Sequence, residues 1–344
     1  MSHPEESGAS ASDSLRSEIA ILPAIGKHAG VVRACTFQNM QSGAIMATAI
    51  EQIQAAAANW SIEVTPTGAT KIESFRDCLN EGTTVNVTFL PGTDPADTIA
   101  VCERLHNDGM KPVPHLAARS LRNTDQLDEL LTAYTSRCGV EEVLCIGGGV
   151  DDPVGEFTAT MEVLKTGLIQ KHGIRHIGVA GHPEGSPDIS DDEIAEALGA
   201  KNELAKAEGL DLYIETQFCF EADIVLDWER RVRAAGNALP IRIGIPGPAT
   251  IKTLFRFAQI SGIGPSMRFV AKQAKNVAKL MTVQSPHLLI AGLAEGMAAD
   301  GDCLIRHFHF YPFGGFARTA TYAGAIAEGK IEMLPKGGFN VTEG

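Results

Sequence analysis

Residues 174–218, IRHIGVAGHPEGSPDISDDEIAEALGAKNELAKAEGLDLYIETQF, contain two strand-length apolar runs on either side of a helical segment. The runs IRHIGVAG (174–181) and LDLYIETQF (210–218) are rich in β-branched and aromatic residues, as strands are. Between them, SDDEIAEALGAKNELAKAEG (190–209) spaces its apolar residues three to four apart, begins on serine and closes on glycine. The stretch therefore predicts a strand–helix–strand unit.

The same alternation continues along most of the chain. Six further strand-length runs lie at 61–65, 83–89, 111–116, 140–146, 241–245 and 302–311. Segments with helical periodicity separate them, for example 94–109 and 221–236. Eight such units in one uninterrupted stretch favour a closed (β/α)8 barrel, a TIM barrel, over an open doubly wound sheet.

No linker divides the chain, so residues 61–330 are expected to form a single barrel domain. The segments before and after it are expected to be short additions to this domain. Residues 1–15 are rich in Ser, Glu and Ala and predict disorder. Residues 16–60 include GAIMATAIEQIQAAAANW and predict a helical extension packed on the barrel's exterior. Residues 331–344 are expected to form a loose C-terminal tail.

Composition restricts the class of function. A net charge of -13 disfavours nucleic acid and anionic membrane surfaces as partners. No apolar run reaches the length of a membrane span, and the first residues lack the pattern of a signal peptide. Seven scattered cysteines without a CxxC pair indicate reduced thiols. We expect a cytoplasmic protein with a small-molecule ligand, and a homo-oligomer remains open.

In a TIM barrel the active site lies at the C-terminal ends of the strands, which makes Glu63 the first candidate. Strand alternation puts Ile62 and Val64 on one face and Glu63 on the other. In one register Glu63 points into the barrel mouth, where a raised pKa would suit it to proton donation. In the other register it faces solvent, and the strand pattern alone leaves both open.

Four more polar side chains lie at or near predicted strand ends. The amide of Gln217 can donate and accept together, which suits a heterocycle, although a strand-end cap is the simpler interpretation. Glu215, on the same strand face, is a second acid that could line the barrel. His115 is more simply a satisfied core histidine, whereas His182 lies on a Gly/Pro-rich loop that favours binding.

The fourth strand ends in CIGGGVDDP (145–153), which raises the question of a phosphate site. No Lys or Arg stands beside the three glycines in the sequence, and they do not fit the GxGxxG pattern of a dinucleotide site. The chain also lacks a Walker loop and a GxSxG elbow. His307 and His309 share a strand face, but two ligands do not make a metal site, so no metal is expected.

These strand ends resemble those of the methylenetetrahydrofolate reductase family, flavin-dependent (β/α)8 barrels of one-carbon metabolism. The resemblance runs from about residue 60 to residue 327. ETQFCFE (215–221) is similar to the family's ITQFFFD, and FHFY (308–311) to its last-strand FHFYT. Weaker similarities link the family's APHL, FEFFPP and AYPEVHP to PVPHL (112–116), SIEVTP (61–66) and AGHPEGSP (180–187).

The resemblance implies a role for individual residues. Glu63 matches the acid that protonates N5 of the folate. Gln217 and Phe257 match residues that hold the pterin and the aminobenzoyl arm. Flavin-contacting positions are matched by Thr88, His115 and Lys206. The resemblance further implies FAD as cofactor, tetrahydrofolate as substrate and NADH or NADPH as electron donor.

The chain departs from the family around the flavin. Where the family has LRGD after its fourth strand, with an Arg and an Asp near the flavin, the chain has Gly147, Gly148 and Gly149. His182 replaces a family tyrosine, and Gly314 and Gly315 replace an Asn-Arg pair. Two compensations are open: Asp151 or Asp152 folds back toward the cofactor, or Glu215 supplies the lost charge.

The expected function is flavin-dependent interconversion of 5,10-methylenetetrahydrofolate and 5-methyltetrahydrofolate. The direction is open, and the oxidative one would serve methyl-group catabolism. Two alternatives remain. The first is a flavin-free folate-dependent methyltransferase or lyase on the same barrel, and the second is a non-catalytic folate-binding subunit.

Overall fold

The computed structural model describes residues 48–260 and 281–342, and eight parallel strands within them close into a barrel. The barrel strands are β1 (Ser61–Val64), β2 (Thr84–Val87), β3 (Lys111–Ala117), β4 (Glu142–Ile146), β5 (His176–Gly181), β6 (Asp211–Phe218), β7 (Ile241–Pro246) and β10 (Ile305–Tyr311). Their order around the barrel is β1-β10-β7-β6-β5-β4-β3-β2. The predicted TIM barrel is therefore confirmed, and every predicted strand overlaps an observed one.

Helices alternate with the strands. They are α1 (48–57), α2 (Pro66–Ala69), α3 (Pro95–Asn107), α4 (Thr124–Cys138), α5 (Thr160–Lys165), α6 (Leu168–Lys171), α7 (Asp191–Glu208), α8 (Ala222–Ala234), α9 (Ile251–Ile260), α10 (His287–Ala299) and α11 (Phe316–Ala327). A short antiparallel pair, β8 (Ala249–Thr250) and β9 (Val283–Gln284), lies outside the barrel sheet. No helix in these two described ranges is both long and apolar enough to cross a membrane.

The ends of α7 illustrate how the sequence sets helix boundaries. The Ser190 hydroxyl accepts a hydrogen bond from the Glu193 backbone N–H, and the Glu193 carboxylate accepts one from the Ser190 N–H. This reciprocal capping satisfies N–H groups that have no partner inside the helix. Gly209 ends α7 with φ +64°, a left-handed conformation that glycine adopts at low cost.

The two faces of the barrel strands differ in polarity. One set of alternating side chains is apolar and fully buried, including Ile62, Val85, Ile243, Phe308 and Phe310. It belongs to one large apolar cluster that continues through the helices, as expected for the outer face of a barrel sheet. The other set points into the barrel and is mostly polar. The alternation thus creates the polar interior in which the candidate site lies.

Helix α1 precedes the first strand and buries Ile53, Ala56 and Ala57. It covers the end of the predicted helical extension. The rest of that extension, the predicted disorder of residues 1–15 and Cys35 lie outside the described residues.

The C-terminal segment is a hairpin instead of a loose tail. β11 (Ile331–Met333) pairs antiparallel with β12 (Phe339–Val341). Phe339 is 1% exposed, and its ring packs against those of Tyr322 on α11 and His287 on α10. The expectation of a loose tail was wrong for these residues, because Ile331 and Phe339 find apolar cover on the last two helices.

Replacing Phe339 tests this packing. Phe339→Ala should lower the free energy of unfolding by about 3–5 kcal/mol, the usual cost of removing a buried aromatic ring. Denaturant unfolding followed by circular dichroism measures it. The exposed neighbour Asn340 provides the control, since Asn340→Ala should stay within about 0.5 kcal/mol of the wild type. Equal stabilities for the two variants would contradict the packing described.

Candidate active site

The interior of the barrel is lined by polar side chains contributed by seven of its eight strands. They are Ser61, Glu63, Asn86, His115, Glu142, Tyr213, Glu215, Gln217, Arg242, His307, His309 and Tyr311. Two irregularities in strand register lie among them, between Glu215 and Phe218 on β6 and between Ile305 and His307 on β10. Such irregularities re-aim side chains and are frequent beside functional sites.

Glu63 faces the barrel interior, which settles the register that the sequence left open. Its side chain is 16% exposed, and its Oε2 lies 4.0 Å from Nε2 of His115. Burial raises the pKa of Glu63 to about 7, and the nearby Thr88 side chain partly opposes the rise. Glu63 can therefore give or accept a proton near neutral pH.

Two predicted flavin-side residues flank Glu63. Thr88 follows β2 directly, and its N–H donates to the Val64 carbonyl at 3.0 Å, which holds it beside β1. His115 is 6% exposed, and neither of its ring nitrogens has a hydrogen-bond partner among the residues that the structure describes. Burial lowers the pKa of His115 to about 4, so its imidazole is neutral at physiological pH.

Glu215 is a second carboxyl group inside the barrel, more deeply buried than Glu63. Asn86 Nδ2 donates to its Oε1 at 2.6 Å. Its Oε2 lies 3.8 Å from His309 Nδ1 and 3.9 Å from Arg242 Nη1. Burial raises the pKa of Glu215 to about 8, although the positive charge of Arg242 opposes the rise. The carboxyl therefore retains its proton at neutral pH.

Arg242 is held mainly by another acid, Glu142. Its Nη1 donates to Glu142 Oε1, and the Tyr213 hydroxyl donates to the same oxygen at 2.7 Å. The guanidinium lies 3.7 Å from the centre of the Tyr213 ring, a cation–π contact. Because Glu142 neutralises the charge of Arg242, the other two carboxyl groups of the interior, Glu63 and Glu215, have no positive charge of their own to pair with.

Gln217 and Phe257 lie near an aromatic cluster. Gln217 is half-buried, one inward position beyond Glu215 on β6, and its Oε1 accepts from the Phe218 N–H at 3.2 Å. Phe257 on α9 stacks on Phe313, with ring centres 4.4 Å apart, and Phe313 lies 4.9 Å from the ring of Phe218. Phe313 has φ +49°, an unfavourable conformation that places its ring in this cluster.

A cation missed by the sequence analysis lies against the three glycines. Arg119, two residues beyond β3, donates from Nη2 to the Gly148 carbonyl at 3.0 Å and from its backbone to the Gly147 carbonyl at 2.9 Å. Gly148 has φ +94°, and a Cβ there would lie 3.2 Å from that of Ala117. The signal for it in the sequence is the position of Arg119 shortly after the predicted strand 111–116, far from the glycines along the chain.

Three residues predicted near the cofactor lie away from the interior. Asp151 is exposed, as is Asp152, so neither occupies the place of the family aspartate. Lys206 is exposed in the last turn of α7, just before Gly209 and β6. A helix that returns antiparallel to the strands ends at the opposite side of the barrel from the mouth. The assignment of Lys206 to the flavin was therefore wrong.

A different lysine of α7 lies toward the mouth. Lys201 is 9% exposed and lines one cleft with Gly181, His182 and Trp228. Burial lowers the pKa of Lys201, and burial together with the Lys201 charge lowers that of His182. Lys201 lies seven residues and Lys206 two residues before the last residue of α7, and only the packing of the helix on the barrel shows that Lys201 is the one beside the cleft.

The family model of methylenetetrahydrofolate reductase matches residues 49–313, more than three quarters of the chain. The chain belongs to the methylenetetrahydrofolate reductase family. The match begins in α1, covers all eight barrel strands and ends at Phe313 in the aromatic cluster. The resemblance read from the strand ends is thereby confirmed.

Similar proteins include two yeast methylenetetrahydrofolate reductases. Methylenetetrahydrofolate reductase 2 of Saccharomyces cerevisiae is 28% identical over 172 residues, which are 48% of this chain and 28% of that protein. Methylenetetrahydrofolate reductase 1 of Schizosaccharomyces pombe is 39% identical over 95 residues, which are 27% of this chain and 15% of that protein. The chain thus matches less than a third of the length of either relative.

A solved structure shares the fold of this family member. It is an uncharacterized protein from Clostridium thermocellum that binds two copies of 5-methyl-5,6,7,8-tetrahydrofolic acid. Its TM-score is 0.51 at 13% sequence identity, over 76% of this chain and 95% of that one. At this identity the likeness concerns the barrel fold alone.

The described residues offer few groups for a metal ion or for disulfide chemistry. Within the part of the chain that the structure describes, no three His, Cys, Asp or Glu side chains converge as metal ligands. The six described cysteines, Cys78, Cys102, Cys138, Cys145, Cys219 and Cys303, are free thiols.

The Thr88 hydroxyl provides a direct test of the electrostatics at Glu63. Thr88→Val keeps the side-chain shape but removes the hydroxyl group that favours the Glu63 carboxylate, so the pKa of Glu63 should rise above about 7. Carbon-13 NMR titration of labelled glutamate carboxyls, assigned with Glu63→Gln, measures the change. Thr132→Val on the exposed face of α4 is the matched control. An unchanged or lower pKa in Thr88→Val would contradict the assigned contact.

Proposed function

We propose that this protein interconverts 5,10-methylenetetrahydrofolate and 5-methyltetrahydrofolate at the mouth of its barrel. The observation that carries the proposal is Glu63, a buried carboxyl group with a pKa of about 7 beside the neutral His115. Membership of the methylenetetrahydrofolate reductase family and the names of the two yeast relatives support the reaction. The fold shared with a protein that binds 5-methyltetrahydrofolic acid supports the substrate class.

In the reductive direction Glu63 donates its proton at N5 of the bound folate. The proton moves on to N10 as the bond between N10 and the bridging carbon breaks, which leaves an N5 iminium that can accept hydride. In the oxidative direction the carboxylate accepts a proton. A group with its pKa near the ambient pH can act in both roles, because both protonation states are populated. The site is thus suited to either direction, including methyl-group oxidation.

The substrate would lie between the amide of Gln217 and the aromatic cluster. The Gln217 side chain can donate to and accept from the pterin's amide-like edge. Phe257 and Phe313 present stacked rings against which the folate's aromatic arm can pack. Glu215 lies deeper in the barrel than Gln217, on the same strand, and is buried beneath it.

The polar groups around strands β2 to β5 fit FAD. The Arg119 Nε and both ring nitrogens of His115 are buried and have no hydrogen-bond partner in residues 48–260 or 281–342. The residues that would hold the cofactor are Thr88, His115, Gly147, Gly148, Gly149, Arg119, His182 and Lys201. When bound, FAD would supply hydride transfer, with NADH or NADPH as the electron donor. Arg119 and Lys201 would supply the positive charge near the cofactor that the family's arginine supplies and that the three glycines lack.

Removing the acid should abolish most of the activity without removing the substrate. Glu63→Gln should lower kcat by about 10²–10⁴-fold, the usual contribution of a positioned general acid, while folate still binds. Stopped-flow turnover and fluorescence-monitored folate binding measure the two effects. The exposed Glu73→Gln serves as control. A Glu63→Gln variant with wild-type turnover would refute the assigned role.

A visible absorption spectrum of the purified protein tests the cofactor. We expect a flavin spectrum, either in the protein as purified or after FAD has been added. The flavin absorbance should bleach when NADH, NADPH or methyltetrahydrofolate is added without oxygen. A colourless protein that still converts a folate would instead indicate a flavin-free methyltransferase or lyase. Folate binding without any turnover would indicate a non-catalytic binding subunit.

A further inference from the structure

Two buried histidines lie between the acids Glu215 and Glu63. His309 is fully buried, with Nδ1 2.8 Å from the Ser61 hydroxyl and 3.8 Å from Glu215 Oε2. His115 Nε2 lies 4.0 Å from Glu63 Oε2. The two imidazoles are close enough that a charge on His115 disfavours a charge on His309. These side chains therefore form a polar path from the centre of the barrel to its mouth.

Several atoms along this path are buried without hydrogen-bond partners among the described residues. They are Glu215 Oε2, His309 Nε2, Asn86 Oδ1 and both ring nitrogens of His115. Buried polar atoms in native proteins are nearly always paired, so a purely structural network would not leave so many unpaired in one place. The gaps of 3.8 Å at Glu215 and 4.0 Å at Glu63 can close by small side-chain movements, and a water molecule can bridge the two imidazoles. The path is thus suited to proton exchange.

The titratable groups around Glu215 come from several strands. They are Arg242, Glu142, Glu63, His309, Tyr213 and Tyr311. Burial outweighs the attraction of Arg242, because Arg242 is bound to Glu142, and the negative charge of Glu63 adds to the effect. Glu215 accordingly carries a proton when Glu63 has lost its own.

We propose that Glu215 is the proton store of this site and that His309 and His115 pass its proton to Glu63. The proposal rests on the proposed function, in which Glu63 gives a proton to the folate. While the ligands cover the mouth, direct reprotonation of Glu63 from solvent is slow, and the path from Glu215 is the faster route. Glu215 is a positioning residue in this scheme, because it acts on the substrate through Glu63.

The transfer conserves one proton and one charge. The O–H bond of Glu215 breaks, an N–H bond forms on His309, and His309 releases the proton on its other ring nitrogen to His115. His115 passes a proton to the Glu63 carboxylate in the same way, so both imidazoles end neutral and the negative charge moves to Glu215. A pKa of about 8 against about 7 makes the transfer unfavourable by about tenfold. Because burial lowers the pKa of both histidines, the protons shift along the path together, and neither imidazole is charged in between. Solvent restores the proton on Glu215 after the product leaves.

The first experiment examines the protein without ligands. Infrared spectroscopy near neutral pH should show a protonated buried carboxyl group that disappears in Glu215→Gln, a substitution that keeps the side-chain volume and a partner for Asn86. Glu229→Gln is the matched control, since Glu229 is equally buried but ion-paired with Arg233 outside the barrel interior. A wild-type spectrum without this signal, or one that Glu215→Gln leaves unchanged, would overturn the proton store.

The second experiment measures turnover at low and high buffer concentration. The wild type should be insensitive to buffer, whereas Glu215→Gln and His309→Asn should slow severalfold at low buffer and recover with added imidazole. His172→Asn, which removes a surface histidine paired with Asp128, should behave as the wild type. Glu215→Gln that matches the wild type, or a loss that imidazole does not restore, would overturn the relay. Absence of folate turnover in the wild type would instead refute the proposed function.

Discussion

The ion pair between Arg242 and Glu142 is the interaction on which the polar interior of this barrel depends. Three carboxyl groups and three histidines occupy the barrel's inner face, with Arg242 as the guanidinium between them. A buried charge is costly unless it is paired, and the pair is completed by the Tyr213 hydroxyl and ring. Because Arg242 forms its ion pair with Glu142, no positive charge is left to pair fully with Glu63 or Glu215. Burial therefore raises the pKa of both carboxyl groups.

This division of charge gives the two remaining acids different roles. Glu63 lies near the mouth, partly exposed, with a pKa of about 7 that suits proton exchange with a substrate. Glu215 lies deeper, held by Asn86, with a pKa of about 8. Where family members carry an apolar residue at the Glu215 position, this chain carries an acid. Of the two expected compensations for the family's aspartate, Asp151 and Asp152 are exposed, whereas Glu215 lies inside the barrel, where a pKa of about 8 leaves it uncharged at neutral pH.

Strand alternation made most of the fold predictable. It located eight strands but left the inward side of β1 open, and residue types at the strand ends pointed to Glu63, His115 and Gln217. Features that depend on packing between distant segments were not predictable. Arg119 reaches the glycines from another strand, and Lys201, not Lys206, faces the cleft because α7 runs back along the barrel. The C-terminal hairpin depends on apolar cover from α10 and α11, which short-range sequence patterns do not show.

The central claim is that the folate binds at this mouth with its reacting nitrogen beside Glu63. A crystal structure of the protein with bound 5-methyltetrahydrofolate tests it most directly. The account predicts the pterin against Gln217, its N5 within hydrogen-bond reach of the Glu63 carboxyl group, and its aromatic arm on Phe257 and Phe313. A folate bound elsewhere, or at the mouth with N5 turned away from Glu63, would contradict it.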